Sequence, residues 1–428
     1  MKARRFLLTI AYSGIALVAM SQTVIVNGNI RPRAEYRDGY GSPIEATKDP
    51  AGFVLQRTRI GVDYKQPSFQ AKFTLQDART FGETSISSQS TSGQYTLGVY
   101  EAWIRLPLFS DISVKMGRQT LSYDDNRLFS DSNWSNTGSA HDLLLCAYER
   151  QGYLFHLGLA YNNNTSELSE SYYKPAMKYR YLGYMRFEKS INPIISLSAM
   201  VVDEGVQNLV NGSYGTKCSM YHAYTWGGNL KWESPLLSAL ATAYMQSGTT
   251  TGGLHLNNLL LAANASYNIC PKVRIKAGCD YFSGASQREA NEYASFKKLY
   301  GTEHAFNGSM DYWSVLPYQG LINCYGGLSL KFHKQTEVEG LFHLFRTESE
   351  VILDKSRMGK SLGAEIDLSI SYKLNKWTNL KGGWSCYFTT SNTFVAKGML
   401  HGDYRFPQWA FVMLSVSPEY LFQLAEKL

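Results

Sequence analysis

Residues 27–37 read Asn-Gly-Asn-Ile-Arg-Pro-Arg-Ala-Glu-Tyr-Arg, and every second residue, beginning with Asn27, is polar. Successive side chains of a β-strand point to opposite faces, so a strand here carries one wet, strongly charged row on a single face. The other face is mixed and includes Ile30, Ala34 and Tyr36. This period of two predicts a half-buried strand and argues against a helix.

The same alternation returns along the whole chain. Lys272, Arg274 and Lys276 alternate with apolar residues, and Glu365 and Asp367 do the same near the C-terminus. About eighteen such segments, with sixteen as the alternative count, are separated in turn by short connections and by longer polar loops. The sequence therefore predicts an all-β fold: a single transmembrane antiparallel β-barrel with short periplasmic turns and long extracellular loops.

The N-terminus predicts export. Basic residues at the start are followed by an apolar stretch and by the small residues Ala19 and Ser21, which is the pattern of a signal peptide. We expect residues 1–21 to be removed and residues 22–428 to form the barrel in the cell outer membrane. A membrane anchor is the disfavoured alternative, because a spanning helix needs roughly 20 apolar residues.

Composition agrees with a barrel and excludes other classes. Aromatic residues make up 14% and charged residues 18% of the chain, against about 25% charged residues in soluble domains. Aromatic girdles at the two membrane interfaces account for such a composition. The formal charge of +7 is too mild to indicate a nucleic-acid partner. The expected partners are outer-membrane lipid and lipopolysaccharide.

The sequence offers little for metal, cofactor or redox chemistry. The six cysteines are scattered without a CxxC pair, so no disulfide framework follows, and buried or lipid-facing thiols are favoured over a pair between Cys270 and Cys279. Asp124, Asp125 and Asp131 supply clustered oxygens in the 120–139 loop, but they lack the order of a calcium-binding loop. We therefore expect no metal and no cofactor.

Catalysis is not expected either. His141 beside Asp142, and His304 with Asp311, are the suggestive neighbours, but neither comes with a nucleophile elbow or an HExxH-like pair. The prediction is that the chain is not an enzyme, and an outer-membrane hydrolase is the least favoured alternative.

The charged face predicts a basic lumen. A barrel of about eighteen strands encloses an aqueous bore, and cations outnumber acids on its inward face. The predicted lumen cations are Arg31, Arg33, Arg57, Arg59, Lys72, Arg105, Lys115 and Arg274, with Glu35 and Glu101 among the inward acids. Such a lining favours anions, whereas the alternative is that these charges only wet the lumen and pair across strands.

These features together predict a channel. We expect an outer-membrane porin for passive diffusion or export of polar, anionic solutes such as uronate-type saccharides, because guanidinium groups match carboxylates in two-pronged fashion. The alternative is a binding or adhesion protein that uses its loops on a barrel platform. The long loop 283–317 is rich in aromatic residues and is a candidate to fold into the bore. Residues 419–428 are expected to leave the last strand as a tail.

At several places the chain resembles the alginate-export family of outer-membrane porins. In the first strands the resemblance rests on Ile30-Arg-Pro-Arg-Ala-Glu-Tyr-Arg37, Gln56-Arg-Thr-Arg59, and Gln76-Asp77 with Arg79. Further on it rests on Gly117-Arg-Gln119, Tyr123-Asp-Asp125, Arg127-Leu128, Trp134, Gly138, His141-Asp142, Leu299-Tyr-Gly-Thr302 and Gly308-Ser-Met-Asp-Tyr312.

The resemblance implies an eighteen-stranded monomeric barrel whose basic lumen conducts an anionic polysaccharide. It carries the lumen role to Arg31, Arg33, Arg57, Arg59, Arg79, Arg118 and Arg127. Arg118 is out of phase with the inward residues Lys115 and Gly117, so a lumen position there requires a β-bulge or a place at the rim.

Overall fold

The computed structural model describes residues 22–83, 97–163, 179–212, 215–286, 291–302, 304–353, 356–399 and 402–424, and the predicted signal peptide lies outside them. The first ten strands are β1 (Gln22–Asp38), β2 (Ala51–Gln66), β3 (Phe69–Thr80), β4 (Leu97–Phe109), β5 (Ile112–Gln119), β6 (His141–Arg150), β7 (Tyr153–Tyr161), β8 (Tyr181–Ser190), β9 (Ile195–Gly212) and β10 (Gly215–Glu233).

The remaining strands are β11 (Leu237–Thr249), β12 (His255–Cys270), β13 (Val273–Phe282), β14 (Glu292–Tyr293), β15 (Leu321–His333), β16 (Thr336–Leu353), β17 (Ser356–Lys373), β18 (Thr378–Thr389), β19 (Gln408–Val416) and β20 (Glu419–Leu424). One six-residue helix, α1 (Ser391–Ala396), precedes β19. In the part of the chain that the structure describes, no helix is long and apolar enough to cross a membrane.

The strands close into an antiparallel barrel. Eighteen strands make the wall, with β19 and β20 as two halves of the last one and the short β14 lying in a loop. Closure is made by β1, which pairs with β2 on one side and with β19 and β20 on the other. All backbone polar groups of a closed sheet find partners inside it, which is what a lipid environment requires. The predicted fold class and strand count are confirmed.

The end of the chain differs from the prediction. Residues Glu419–Leu424 do not leave the barrel but resume the last strand and pair with the start of β1, where Gln22 faces Leu424. Pro418 interrupts this strand because proline has no N–H to donate. Its carbonyl oxygen still accepts a hydrogen bond from the backbone N–H of Gly28, at 2.9 Å. Residues 425–428 lie outside the described residues.

Two predicted loops are largely strand. Their composition, rich in Gly, Ser, Thr, Asn and Asp, predicts that residues 203–220 and 347–360 are loops. Instead β9 and β10 pair up to Gly212 and Gly215, and β16 and β17 pair up to Leu353 and Ser356. Ladder hydrogen bonding can continue beyond the lipid, where the regular alternation of polar and apolar residues stops, so the sequence marks these strand ends poorly.

The outer wall is apolar. Ile60, Phe73, Met185, Trp226 and Val412 are 40–62% exposed, as are many other outward side chains. A patch of this extent in water would drive association, whereas next to lipid it is the expected surface of a membrane barrel. The outward face of the strands is therefore the membrane-contacting one, and the alternating polar face lines the bore.

Part of the bore holds an apolar core, unlike the aqueous lumen that was expected along its full height. Phe129 from the loop after β5 and Met310, Tyr312 and Trp313 from the loop after β13 are all 0–1% exposed. They pack with wall residues such as Tyr387, which is fully buried. The described residues 296–302 and 304–317 of the 283–317 loop thus fold inward, as the aromatic content indicated, and the 120–139 loop joins them.

A disulfide joins two strands of the wall. Cys279 on β13 and Cys324 on β15 are direct register partners and form a disulfide across 45 residues of sequence. The expectation that no disulfide follows is wrong here. Cysteine spacing along the sequence carries no information about β-register, which is why the pair was missed. The described cysteines Cys146, Cys218, Cys270 and Cys386 are free thiols.

Candidate solute pathway through the lumen

Four of the predicted lumen arginines form one group, the arginine ladder, which faces the bore. Its members lie on the adjacent strands β1 and β2 and are Arg31, Arg33, Arg57 and Arg59. Arg31 and Arg57 are register partners, so two guanidinium groups sit side by side at one level of the wall. Unpaired arginines at this spacing repel each other, and a ligand or another part of the chain has to supply acceptors.

The 120–139 loop supplies those acceptors through its backbone. Arg31 donates through Nη1 to the carbonyl of Asn133 at 2.5 Å and through Nη2 to that of Ser135 at 2.7 Å. Arg33 donates through Nη1 to the carbonyl of Trp134 at 2.8 Å. Hydrogen bonds from charged donors contribute about 1.5–3 kcal/mol each, so the ladder holds this loop firmly inside the bore.

The second half of the ladder binds the same loop. Arg57 donates to the carbonyl of Asn133 at 3.1 Å, and Arg59 donates to that of Thr137 at 3.2 Å. Arg31 is 5% and Arg57 3% exposed. Within the described part of the chain, no carboxylate lies within ion-pair distance of Arg31, Arg57 or Arg59. These predicted arginines therefore lie in the lumen but are covered by the 120–139 loop. Neutral carbonyl groups occupy the positions in which an anion would contact them.

Arg33 differs from its neighbours because it has an acidic partner. Its Nε lies 2.7 Å from Oε1 of Glu35, and Arg37 reaches Oε2 of the same carboxylate at 2.8 Å. Trp409 also donates to Glu35, at 3.0 Å. Glu35 is inward as predicted, and at this level the simpler alternative holds: the charges pair along and across strands.

Trp134 is the tip of the inward 120–139 loop. Its ring stacks on His304 with centroids 4.3 Å apart and meets Phe411 edge-on at 5.1 Å. The guanidinium carbon of Arg33 lies 4.6 Å from its centroid. His304 in turn contacts Asp311 at 3.1 Å. The His304–Asp311 pair singled out from sequence therefore braces a loop tip, and the anchoring role of Trp134 was missed by sequence reasoning.

The loop after β13 is held by acidic and polar side chains of the wall. The backbone N–H of Met310 donates to Oε1 of Glu365 at 2.7 Å, and the indole of Trp313 donates to the hydroxyl of Tyr387 at 3.0 Å. Gly308 permits this approach, since a Cβ there would lie 2.5 Å from the Glu365 carboxylate. Glu365 thus serves loop docking instead of lining open water.

The two inward loops are joined to each other. Tyr300 donates its N–H to the carbonyl of Leu128 at 2.9 Å and accepts from the N–H of Ser130 at 3.0 Å. A Cβ on Gly301 would lie 2.1 Å from the carbonyl oxygen of Arg127, so only glycine allows this close approach. The loops after β5 and β13 therefore form one constriction.

Arg127 locks this junction to the wall. Its Nη2 lies 2.8 Å from Asp280 on β13 and its Nε 3.0 Å from Asp125. Burial alone would lower the pKa of Arg127, but the two carboxylates outweigh it and raise that pKa above its usual value. The guanidinium also lies over the ring of Phe306, at 4.0 Å. Arg127 lies inside the barrel as predicted, where its ion pairs with Asp125 and Asp280 have a structural role.

The lumen wall between the arginine ladder and the periplasmic end is more open. Lys72 pairs with Glu101 at 2.7 Å, and Lys115 lies over the ring of Trp103 at 4.0 Å. Arg105 is about a third exposed and reaches toward the periplasmic end. These predicted lumen residues are inward and partly exposed. Lys72 and Arg105 have acidic partners, Glu101 and, at 3.4 Å, Glu149, whereas among the described residues no carboxylate lies within ion-pair distance of Lys115.

The facing part of the bore contains a polar cavity of about 430 Å³ below the loops. Its charged lining residues are Asp124, Asp125, Arg186, Glu188, Lys231 and Glu233. Asp124 pairs with Arg186 at 2.8 Å and Asp125 with Arg127 at 3.0 Å, while Asp131 accepts a hydrogen bond from the backbone N–H of Asn133 at 3.1 Å. Within the described ranges, no group of three or more His, Cys, Asp or Glu residues is arranged to hold a metal ion.

Two predicted lumen arginines face outward. Arg79 lies on the same face of β3 as Phe73, which is exposed to lipid, and it pairs with Asp77 at 2.7 Å. Arg118 pairs with Asp142 at 3.3 Å on the outside of β5 and β6. The period of two decides this, since the fully buried Gln119 next to Arg118 is the inward residue. The lumen assignment of both arginines is wrong.

The other histidine singled out from sequence also has a structural role. His141 contacts the hydroxyl of Tyr179 at 2.8 Å, while its neighbour Asp142 points to the opposite face and pairs with Arg118. The two do not face one another, because adjacent residues of a strand alternate in direction. No acid–base pair is formed by this dipeptide.

Comparison with known proteins agrees with this geometry. The alginate export family model matches residues 23–160. No curated protein matches the chain. Among solved structures, the chain is similar to OpdK of Pseudomonas aeruginosa, with a TM-score of 0.61 and 10% identity over 93% of this chain and 99% of that one.

Two further barrels are similar at the same level. A BenF-like porin from Pseudomonas fluorescens Pf-5 gives a TM-score of 0.61 with 14% identity, over 94% of this chain and 99% of that one. OccAB1 of Acinetobacter baumannii gives 0.61 with 11% identity, over 92% and 96%. The chain is therefore a β-barrel of the outer-membrane porin fold, whose residues 23–160 carry the sequence signature of the alginate export family.

Proposed function

We propose that this barrel is a channel for passive diffusion or export of polar solutes, with a preference for anions such as uronate-type saccharides. One observation carries the proposal: Arg31, Arg57 and Arg59 line one wall and donate to neutral acceptors, which are backbone carbonyls of the 120–139 loop and the side-chain amides of Asn29 and Gln76. A carboxylate is a stronger partner for a guanidinium than a carbonyl is. An anionic solute can therefore take over these donors when the loop moves aside.

The same arrangement supplies a mechanism. In the resting channel the carbonyls of Asn133 and Thr137 occupy the ladder, and the bore is narrow. A carboxylated solute that reaches Lys115 and Lys72 from the periplasmic half approaches cations that remain accessible. Exchange of carbonyl for carboxylate at Arg57 then widens the path and passes the solute upward. A neutral solute gains nothing by this exchange, so the ladder discriminates by charge.

The proposed partners follow from the surface. The apolar outer wall is suited to outer-membrane lipid, with lipopolysaccharide next to its extracellular rim, and the solute is small and anionic or a polysaccharide. We propose that the barrel acts as a monomer, because all wall strands pair within one chain. The family and structures that it matches are export and porin proteins, and a channel without catalysis is consistent with them.

The test is single-channel recording. Refolded protein without residues 1–21 is inserted in a planar bilayer, and the reversal potential in a salt gradient gives the selectivity. We expect steady conductance that favours anions, and loss of most of that preference in Arg57→Gln with Arg59→Gln. Arg357→Gln is the matched control, because Arg357 is exposed near the tip of a hairpin with its side chain 76% accessible.

Contrary results are distinct. A correctly inserted barrel that conducts without anion preference would remove the anionic solute from the proposal. A barrel that never conducts, even with sodium glucuronate present, would remove the channel itself. Equal loss of preference in Arg357→Gln would show that general surface charge, and not the ladder, sets the selectivity.

A further inference from the structure

Three turns at the periplasmic end carry basic residues without acids. They connect β12 to β13, β15 to β16 and β17 to β18, and they are neighbours around the rim because β13 pairs with β15 and β16 with β17. Their lysines are Lys272, Lys331, Lys334, Lys373 and Lys376. The segments 270–274, 331–336 and 372–378 contain no Asp or Glu. One arc of the rim is therefore strongly cationic.

A cavity of about 460 Å³ lies between the first two of these turns. Lys272, Arg274 and Lys331 contribute its charges, and no acid lines it. Asn268 and Ser329 add polar groups to the same wall. Three cations around one small cavity favour an anion by the focusing of their field in a low-dielectric surround.

Part of the cavity lining lies on the bore side of the strands. Arg274 and Ser329 are register partners on β13 and β15, and Ser329 is 2% exposed. Both lie on the face that carries Asp280 and Asn323, which are buried inside the bore. Arg274 donates through Nε to Asn268 at 2.8 Å, and this contact positions the guanidinium at the periplasmic mouth.

These cations also lack the partners that neutralise other lumen charges. Further along β13, Lys276 pairs with Glu339. On β3, Lys72 pairs with Glu101. Within the described residues, no carboxylate lies within ion-pair distance of the three cavity cations. The nearest acid in register is Glu337, opposite Lys331, and its carboxylate accepts a hydrogen bond from Ser329 at 2.5 Å.

We propose that this cavity is an anion-binding site at the periplasmic mouth, where the phosphate or carboxylate group of a solute binds before or after transit. Its place in transport rests on the proposed channel function, but binding itself does not. The site adds a basic group, Lys272 with Arg274 and Lys331, on the side of the barrel opposite Lys115, which lies on β5.

A lipid headgroup presents the same phosphate chemistry as a soluble solute. The position of Arg274 and Ser329 on the bore side of the strands favours the soluble solute, because inner-leaflet lipid lies against the outward face. Leu236 and Ile269 are exposed at the cavity edge, at 56% and 58%. They would accompany an acyl chain if the headgroup were the ligand, so the experiment has to separate the two sources.

Cys270 provides a reporter, since it lines the cavity and is exposed. The barrel is prepared with Cys146→Ser and Cys218→Ser, tagged at Cys270 with a trifluoromethyl group, and titrated in detergent with tripolyphosphate while fluorine resonances are recorded. We expect a saturable shift. Lys272→Gln with Lys331→Gln should weaken binding at least about tenfold, because two charge-assisted contacts are lost. Lys65→Gln, near the end of β2 that leads into the turn to β3, is the matched control.

A linear shift without saturation, or equal affinity in the double variant, would overturn the site. The titration is repeated in nanodiscs of phosphatidylcholine and of phosphatidylglycerol. Equal affinity in both supports a soluble ligand, whereas a shift in phosphatidylglycerol without added tripolyphosphate would assign the cavity to lipid and overturn the solute assignment. A saturable titration in a barrel that does not conduct would refute the channel and keep the site; anion-selective conductance without saturable binding would do the reverse.

Discussion

Phe129 and Tyr300 lie side by side in a parallel β-bridge, with their rings stacked and the centroids 5.9 Å apart. They belong to two loops that enter the bore after β5 and after β13, from different parts of the rim. Backbone hydrogen bonds on both sides of the bridge make these loops one body. A contact that stabilises the docked position of either loop therefore stabilises both. A substitution that undocks one loop should also loosen the other.

Trp134 is the first place to test this. Trp134→Ala removes the ring that fills the space between His304, Phe411 and Arg33. Truncation of a packed Trp costs about 3–5 kcal/mol, which should undock the loop tip while the wall remains intact. We expect a larger single-channel conductance. Trp377→Ala is the control, because Trp377 is 37% exposed at a periplasmic turn. Unchanged conductance in a folded Trp134→Ala barrel would mean that this loop does not set the constriction.

Arg127 offers a test of the junction itself. Arg127→Leu leaves Asp280 fully buried without its partner, and removing one member of a buried ion pair costs about 3–5 kcal/mol. We expect faster hydrogen exchange of the N–H groups of Ser130, Tyr300 and Thr302. Arg127→Leu with Asp280→Asn removes the stranded charge and should recover much of the protection. If the double variant exchanges as fast as the single one, the charge pair is not what holds the junction.

The disulfide gives a third prediction. Cys279 and Cys324 close a loop with a sequence separation of 45, which includes the whole inward loop after β13. Restricting the unfolded chain over this span is worth up to about 4 kcal/mol. Cys279→Ala with Cys324→Ala should lower the urea midpoint of unfolding, and a reducing agent should do the same to the wild type. Cys270→Ala is the matched control; a midpoint insensitive to both treatments would show that the bond contributes nothing.

The barrel was predictable because the sequence pattern that specifies its strands is local. A period of two, short turns and long loops specify strand count and facing, and the alternation around Arg31 and Glu35 was assigned to the correct side. Errors came where that code is weak. Arg79 and Arg118 were assigned to the lumen by resemblance, against the alternation of their strands, and the ends of β9 and β16 lack a regular alternation of polar and apolar residues.

The constriction was not predictable in the same way. The loop groups that accept from Arg31 and Arg57 are backbone carbonyls, and every residue has one, so no side-chain pattern in the sequence identifies them. The pairing of Phe129 with Tyr300 joins positions that are far apart in sequence, as does the disulfide. Only the aromatic content of residues 283–317 hinted that this loop avoids water.

Lys397 predicts how pH acts on the constriction. It follows α1, donates to the carbonyl of Tyr312 and lies 4.8 Å from the ring centroid of Trp313. Burial lowers the pKa of Lys397 to about 8, from an ordinary value of 10.5. The docked loop thus binds fewer protons than the undocked one between these two values, so docking becomes more favourable as pH rises through that window. Burial raises the pKa of the Tyr312 phenol, which acts in the opposite sense, but only as the pH approaches the ordinary tyrosine pKa of 10, so the effect of Lys397 dominates up to about pH 9.5.

We therefore expect slower protease cleavage of the inward loops and fewer openings at about pH 9.5 than at about pH 7. Lys397→Met keeps most of the aliphatic length and removes the charge, so its loops should be as protected at the lower pH as those of the wild type are at the higher one. Lys48→Met, at an exposed lysine of the loop after β1, should leave the wild-type pH dependence in place. If Lys397→Met keeps that dependence as well, another group titrates, and the contact between Lys397 and Tyr312 does not couple the loop to pH.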